Sequence, residues 1–94
     1  MTIPVEILWS PLARARLREI RAYIALDKPG AAERLAVRIV ALVETLRLHP
    51  HLGRAAFEPN LRELVIGGTP YIILYRVHPK HLVITTIFHA AQQK

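Results

Sequence analysis

The sequence contains no cysteine. That absence excludes a disulfide framework, a thiolate nucleophile and a cysteine-based zinc site together. No apolar run approaches the roughly 18 residues needed to span a bilayer. The longest, Pro70 to Tyr75, is strand-sized. The opening Met1-Thr2-Ile3-Pro4 lacks the basic residues and apolar stretch of a secretory leader. There is no glycine-rich phosphate loop, Ser-His-Asp arrangement or dinucleotide fingerprint. Acidic residues are scarce, seven against thirteen Lys and Arg. A cytoplasmic protein with no membrane contact and no cofactor is the expectation.

What is present is apolar and basic. Hydrophobic residues make up 52% of 94 positions, enough for a core and against disorder. That length holds one domain, residues 1–94, with no room for a second core. Ten of the thirteen cations are arginine, the residue suited to bidentate contacts with carboxylate or phosphate. A net charge of +6 points to an acidic partner, either nucleic acid or an acidic protein segment.

The chain order is strand, two helices, three strands. Val5 to Trp9 is largely apolar and reads as a short strand buried on both faces. Ser10-Pro11 opens a helix, serine as cap and proline at the first helical position. Ala13, Leu17, Ile20 and Ile24 then recur along one helical face. Asp27-Lys28-Pro29-Gly30 breaks that helix, and Pro29 can open the next. There Leu35, Ile39, Leu42 and Leu46 repeat the spacing until Pro50 stops it. Residues 51–60 read as a loop. Leu61–Ile66, Pro70–His78 and Leu82–His89 read as strands joined by short turns, hence an antiparallel meander. The fold class is α+β, a helical hairpin packed on a small antiparallel sheet with the first strand added at one edge.

Several polar sets stand out on this frame. Arg14, Arg18 and Arg21 lie beside the apolar face of the first helix, and Arg34 and Arg38 lie four apart on the second. They suit acidic side chains of a partner, or phosphates. Strand alternation groups Arg62 with Leu64 and Ile66, and Arg76 with Ile72 and Leu74. Arg62, Arg76 and His89 can therefore meet in one region if the register allows. Two guanidinium groups and an imidazole would offer charge stabilisation and proton transfer for phosphodiester chemistry. Pairing of the arginines with Glu58 or Glu63 is the structural alternative. Tyr71 and Tyr75 read as packing residues with hydroxyls at a rim. His49, His51, His78 and His81 flank prolines at no metal-ligand spacing and read as exposed turn residues.

Leu48-His49-Pro50 with Leu52-Gly53-Arg54, then Leu61-Arg62-Glu63-Leu64, Tyr71-Ile72-Ile73-Leu74-Tyr75-Arg76-Val77 and Ile87-Phe88-His89, resemble the RelE/ParE superfamily of type II toxin–antitoxin toxins. The resemblance covers nearly the whole chain. It implies a toxin neutralised by a cognate antitoxin and reaching operator DNA only through it. RelE-like members cleave messenger RNA on the ribosome; ParE-like members bind and inhibit DNA gyrase. The RelE-like pattern has an arginine after the tyrosine of the central strand, where this chain has Ile72. Its C-terminal arginine and tyrosine have no counterpart in Ala90-Ala91-Gln92-Gln93-Lys94. The chain thus looks like the ParE, plasmid-stabilisation branch. The resemblance implies antitoxin contacts at Arg14, Arg18, Arg21, Arg34 and Arg38, and target contacts at Arg62, Tyr71, Tyr75, Arg76 and His89. A ribonuclease using Arg62, Arg76 and His89 is the alternative, and a member retaining only antitoxin binding is a third reading.

Overall fold

The computed structural model describes residues 3–92. Met1, Thr2, Gln93 and Lys94, on which the leader and tail readings partly rest, lie outside the described residues. The elements run β1 (Glu6–Trp9), α1 (Pro11–Ala25), α2 (Pro29–Thr45), β2 (Arg54–Ala55), β3 (Leu61–Val65), β4 (Tyr71–Val77) and β5 (His81–His89), then a short 3₁₀ turn, Ala90–Gln92. Two helices pack on one five-stranded sheet of order β1-β5-β4-β3-β2.

The local signals act as their chemistry requires. Ser10 Oγ accepts the Ala13 N–H at 2.9 Å, and Pro11 occupies the first turn, where its missing N–H costs nothing. The same hydroxyl donates to Thr85 O at 2.8 Å. Thr85 is the extra residue where the β4–β5 register passes from Leu74↔Thr86 to Tyr75↔Ile84, so this bulge carbonyl has the helix cap as its partner. Pro29 opens α2 as expected. That helix ends at Thr45 rather than before Pro50, because the Leu46 N–H bonds to Val43 O and tightens the last turn.

Three further readings are corrected. β1 is not buried on both faces: it is an edge strand of alternating exposure, with Leu8 left 43% accessible. The sheet is mixed rather than purely antiparallel, since β1 runs parallel to β5 with Glu6 opposite His81 and Trp9 opposite Ile84. The 51–60 segment contains the two-residue β2, antiparallel to β3, which no periodicity over two residues could announce.

One face of the sheet bears the core. Ala13 and Ile20 from α1, and Ile39, Val43 and Leu46 from α2 and its end, meet Ile66, Ile73, Tyr75, Leu82, Ile84 and Ile87. Leu17, Ile24, Leu35 and Leu42 complete the two predicted stripes from partly buried positions. Complete burial of each large apolar side chain contributes roughly 1.5–3 kcal/mol.

The β3–β4 end of the sheet is fastened by Tyr75. Its ring is fully buried, and its hydroxyl accepts the Gly53 N–H at 2.8 Å while donating to Pro50 O at 2.9 Å. A Cβ on Gly53 would stand 2.7 Å from Glu63 O and 2.9 Å from the Tyr75 ring, so only glycine permits this approach. Asn60, at φ 64°, makes the turn that returns the loop to β3.

Tyr75→Phe should therefore cost about 1–2 kcal/mol, since it orphans a buried N–H and a carbonyl. Gly53→Ala should cost about 1–3 kcal/mol through overpacking. Burial raises the Tyr75 phenol above its ordinary value, outweighing the lowering by the Gly53 N–H and Arg62. On alkaline titration the unfolded chain loses this proton first. Stability should hold below about pH 10 and fall as the pH rises through the higher folded value. Urea midpoints measured against pH check all three, and Tyr75→Phe should lack this alkaline component.

Candidate functional site

The register separates Arg62, Arg76 and His89, the candidate catalytic cluster. Arg62 pairs with Tyr75 and therefore lies on the helix-side face; Arg76, next to Tyr75, lies on the opposite face. His89 pairs with Tyr71, five positions along β4 from Arg76, or roughly 17 Å at about 3.3 Å per residue. The expected convergence does not occur.

Both arginines are occupied. Arg62 Nη1 donates to Gly53 O at 2.6 Å and to His51 O at 3.3 Å, on the loop that Tyr75 holds. Arg76 Nη1 donates to Pro59 O at 3.1 Å, and its Nη2 reaches Glu58 Oε1 at 2.7 Å. Glu63, the other carboxylate considered, pairs instead with Arg54 on β2 at 3.0 Å. The two guanidinium groups thus pin the 51–60 loop from opposite faces of the sheet. A shallow cavity of about 390 Å³ beneath this loop is lined by His51, Phe57, Glu58, Arg62 and Val77 among others.

His89 faces a different cavity. A groove of about 790 Å³ runs between α1 and the ends of β4 and β5. Ile20 and Ile87 form its floor; Arg16, Glu19 and Tyr23 line it from the helix, and Tyr71, Phe88 and His89 from the sheet. The Ala91 N–H donates to His89 Nδ1 at 3.1 Å, which leaves the proton of the neutral imidazole on Nε2. His89 also meets Tyr71 edge to face, centroids 5.4 Å apart. In its neutral form it is a donor, so it can hold an anion or a carbonyl but not act as a base through Nε2. Periodicity along α1 could have hinted at this groove, since residues 16, 19, 20 and 23 share a flank, but only the fold brings β5 to it.

A second groove, about 380 Å³, lies on the other flank of α1, between the helices. Leu17, Arg18, Arg21, Glu33, Ala36, Val37 and Val40 line it. Val37 is 64% and Val40 44% exposed, an apolar strip that no other element among the described residues covers. The five arginines read as antitoxin contacts do not form one surface around it. Arg14, Arg18 and Arg21 follow the groove side of α1, while Arg34 and Arg38 lie on the far side of α2 by helical spacing. Arg38 reaches the Gly67 turn of the sheet. Arg21 is paired with Glu33, its Nη2 2.7 Å from Oε1.

The turn histidines divide. His49 and His51 are exposed as expected, whereas His78 and His81 are half-buried and stacked, ring centroids 4.5 Å apart. Among the described residues, no three His, Asp or Glu side chains gather where they could hold a metal ion. No helix is long and apolar enough to cross a membrane among those residues.

A helical hairpin on a mixed five-stranded sheet, with an open groove between its helices, defines a small α+β fold that known proteins share. The family model for the ParE toxin of type II toxin–antitoxin systems, parDE, matches residues 7–94. Y4kP of Sinorhizobium fredii is 44% identical over 88 residues, 94% of this chain and 91% of its own. Toxin RelE2 of Caulobacter vibrioides is 39% identical over 87 residues, 93% of this chain and 97% of its own. A chain of the chromosomal ParDE system from P. aeruginosa superposes with a TM-score of 0.83 at 24% identity, covering 94% of this chain and 98% of its own. One from the Mycobacterium tuberculosis RelBE2 toxin–antitoxin complex gives 0.70 at 20%, covering 98% of both. These two structures support the fold. The chain belongs to the ParE toxin family, within the RelE/ParE superfamily of type II toxin–antitoxin toxins.

The contacts of the two sheet arginines predict unequal costs. Arg62→Ala should lose about 1–2 kcal/mol, because a charged donor leaves the carbonyl of buried Gly53. Arg76→Ala removes an exposed ion pair and should cost under about 1 kcal/mol. Urea denaturation of the two variants measures the difference.

Proposed function

We propose that this toxin acts by binding rather than by cleaving RNA, with DNA gyrase as its target and a cognate antitoxin as its neutralising partner. The observation that carries the reading is the dispersal of Arg62, Arg76 and His89. Cleavage at a ribose 2′-OH needs charge stabilisation and proton transfer at one point. Here two of the three groups hold a loop, and the third lies at the other end of the sheet. A sheet whose arginines are already engaged suits a docking surface better than a reaction centre. The expected target contacts, Arg62, Tyr71, Tyr75, Arg76 and His89, narrow to Tyr71, Arg76 and His89, because Tyr75 is fully buried and Arg62 faces the loop.

The antitoxin belongs on the helix hairpin. Its uncovered apolar strip and arginine-rich α1 flank suit an acidic amphipathic segment. The related solved structures are of a ParDE system and a RelBE2 toxin–antitoxin complex, in keeping with such a partner. Operator DNA would be reached through that partner, and a gyrase target implies action in the cytoplasm. Ribosome-dependent cleavage of messages is the second reading. What favours it is the groove at His89, where an imidazole, Tyr23, Tyr71 and Arg16 line one cavity.

Purified gyrase assayed with the chain should lose supercoiling activity and accumulate broken DNA, while messages on translating ribosomes stay intact. Codon-phased cleavage of those messages with undisturbed gyrase would establish the second reading instead.

A further inference from the structure

The rim of the hairpin groove is not uniformly cationic. On the α1 side stand Arg18 and Arg21; Glu33 stands opposite on α2, above a floor of Leu17, Ala36, Val37 and Val40. Arg21 Nη2 contacts both carboxylate oxygens of Glu33. Both side chains are more than half exposed, so water screens the pair and it adds little to the fold. Arg18, and Arg14 one turn earlier on the same flank, make no ion pair among the described residues. The groove therefore holds one unanswered cation and one answered internally.

This arrangement matters once a partner covers it. Ala36 is small and the flanking Val37 and Val40 are exposed, which lets a helix approach closely and seat side chains spaced i, i+3 or i+4 and i+7. A carboxylate on that helix meets Arg18 directly. At Arg21 it must compete with Glu33 and accept a like charge beside it as water leaves. Resting on the reading above, in which an acidic amphipathic antitoxin helix lies in this groove, we propose that Arg18 anchors that helix and that Glu33 sets its affinity and selectivity by keeping Arg21 occupied. Glu33 is a specificity-determining residue: it admits carboxylates toward Arg18 and rejects them at its own end of the groove.

The test uses the whole chain and two synthetic helical peptides of roughly five turns. Both carry the same leucine stripe, one with glutamates on both flanks and the other with lysines. Calorimetry should show that the acidic peptide binds and the basic one does not. Arg18→Gln should weaken the acidic peptide about five-fold, the size of one ion pair. Glu33→Gln should strengthen it by a similar factor, because Arg21 is released, and Arg21→Gln added to Glu33→Gln should abolish that gain. Circular dichroism confirms that each variant is folded. Unchanged or weaker binding by folded Glu33→Gln overturns the role of Glu33. Failure of the acidic peptide to bind, or equal binding of both, overturns the groove as its site. These readouts involve neither gyrase nor growth, so their failure is distinct from failure of the target assignment.

Discussion

The buried Tyr75 hydroxyl is the contact on which the polar half of this molecule depends. Between the Gly53 N–H and Pro50 O it satisfies two backbone groups that would otherwise be stranded under a loop. Leaving the pair unmade costs about 1–2 kcal/mol, a large share of the stability of a domain this small. The clearance demanded at Gly53 follows from the same contact. With the loop drawn down, Gly53 O and His51 O face Arg62, and Pro59 O and Glu58 face Arg76. Two guanidinium groups that would look reactive on a bare sheet are thereby turned into staples.

That use of the arginines shapes the functional reading. Catalysis requires charged groups with their donors available to substrate, and here those donors serve backbone carbonyls and the Glu58 carboxylate. The open surfaces lie elsewhere, one on each flank of α1. The groove between the helices is apolar with a patterned charge rim, and the groove toward β4 and β5 is aromatic with His89 as a donor. Because Leu17 faces one and Ile20 floors the other, a single helix separates them. An antitoxin seated on the hairpin need not occupy the surface that meets the target.

Much of the fold was legible from residues alone, and the reasons are local. Ser10-Pro11 and Pro29 mark helix starts through capping chemistry that acts within four residues, and the two apolar stripes identify the helix faces that reach the core. Side-chain alternation grouped Arg62 with Leu64, and Arg76 with Leu74, as the register has them, but could not say that the two groups face opposite ways. What stayed hidden depends on contacts distant in sequence. The parallel pairing of β1 with β5, the bulge at Thr85 and the distance of His89 from Arg76 are set by register, which alternation cannot supply. The split of the helix arginines was hidden differently. A four-residue spacing places Arg34 and Arg38 together but does not say which side of α2 meets α1. Gly53 was visible only as a loop glycine, since its purpose is a ring that arrives from 22 residues away.

The central claim is that this toxin works by binding and not by cutting RNA. Mapping the 5′ ends of all messages at intervals after its expression is induced without antitoxin addresses that claim most directly. The account predicts that growth stops with no new ends inside coding regions. New ends that appear before growth arrest and keep phase with codons would contradict it.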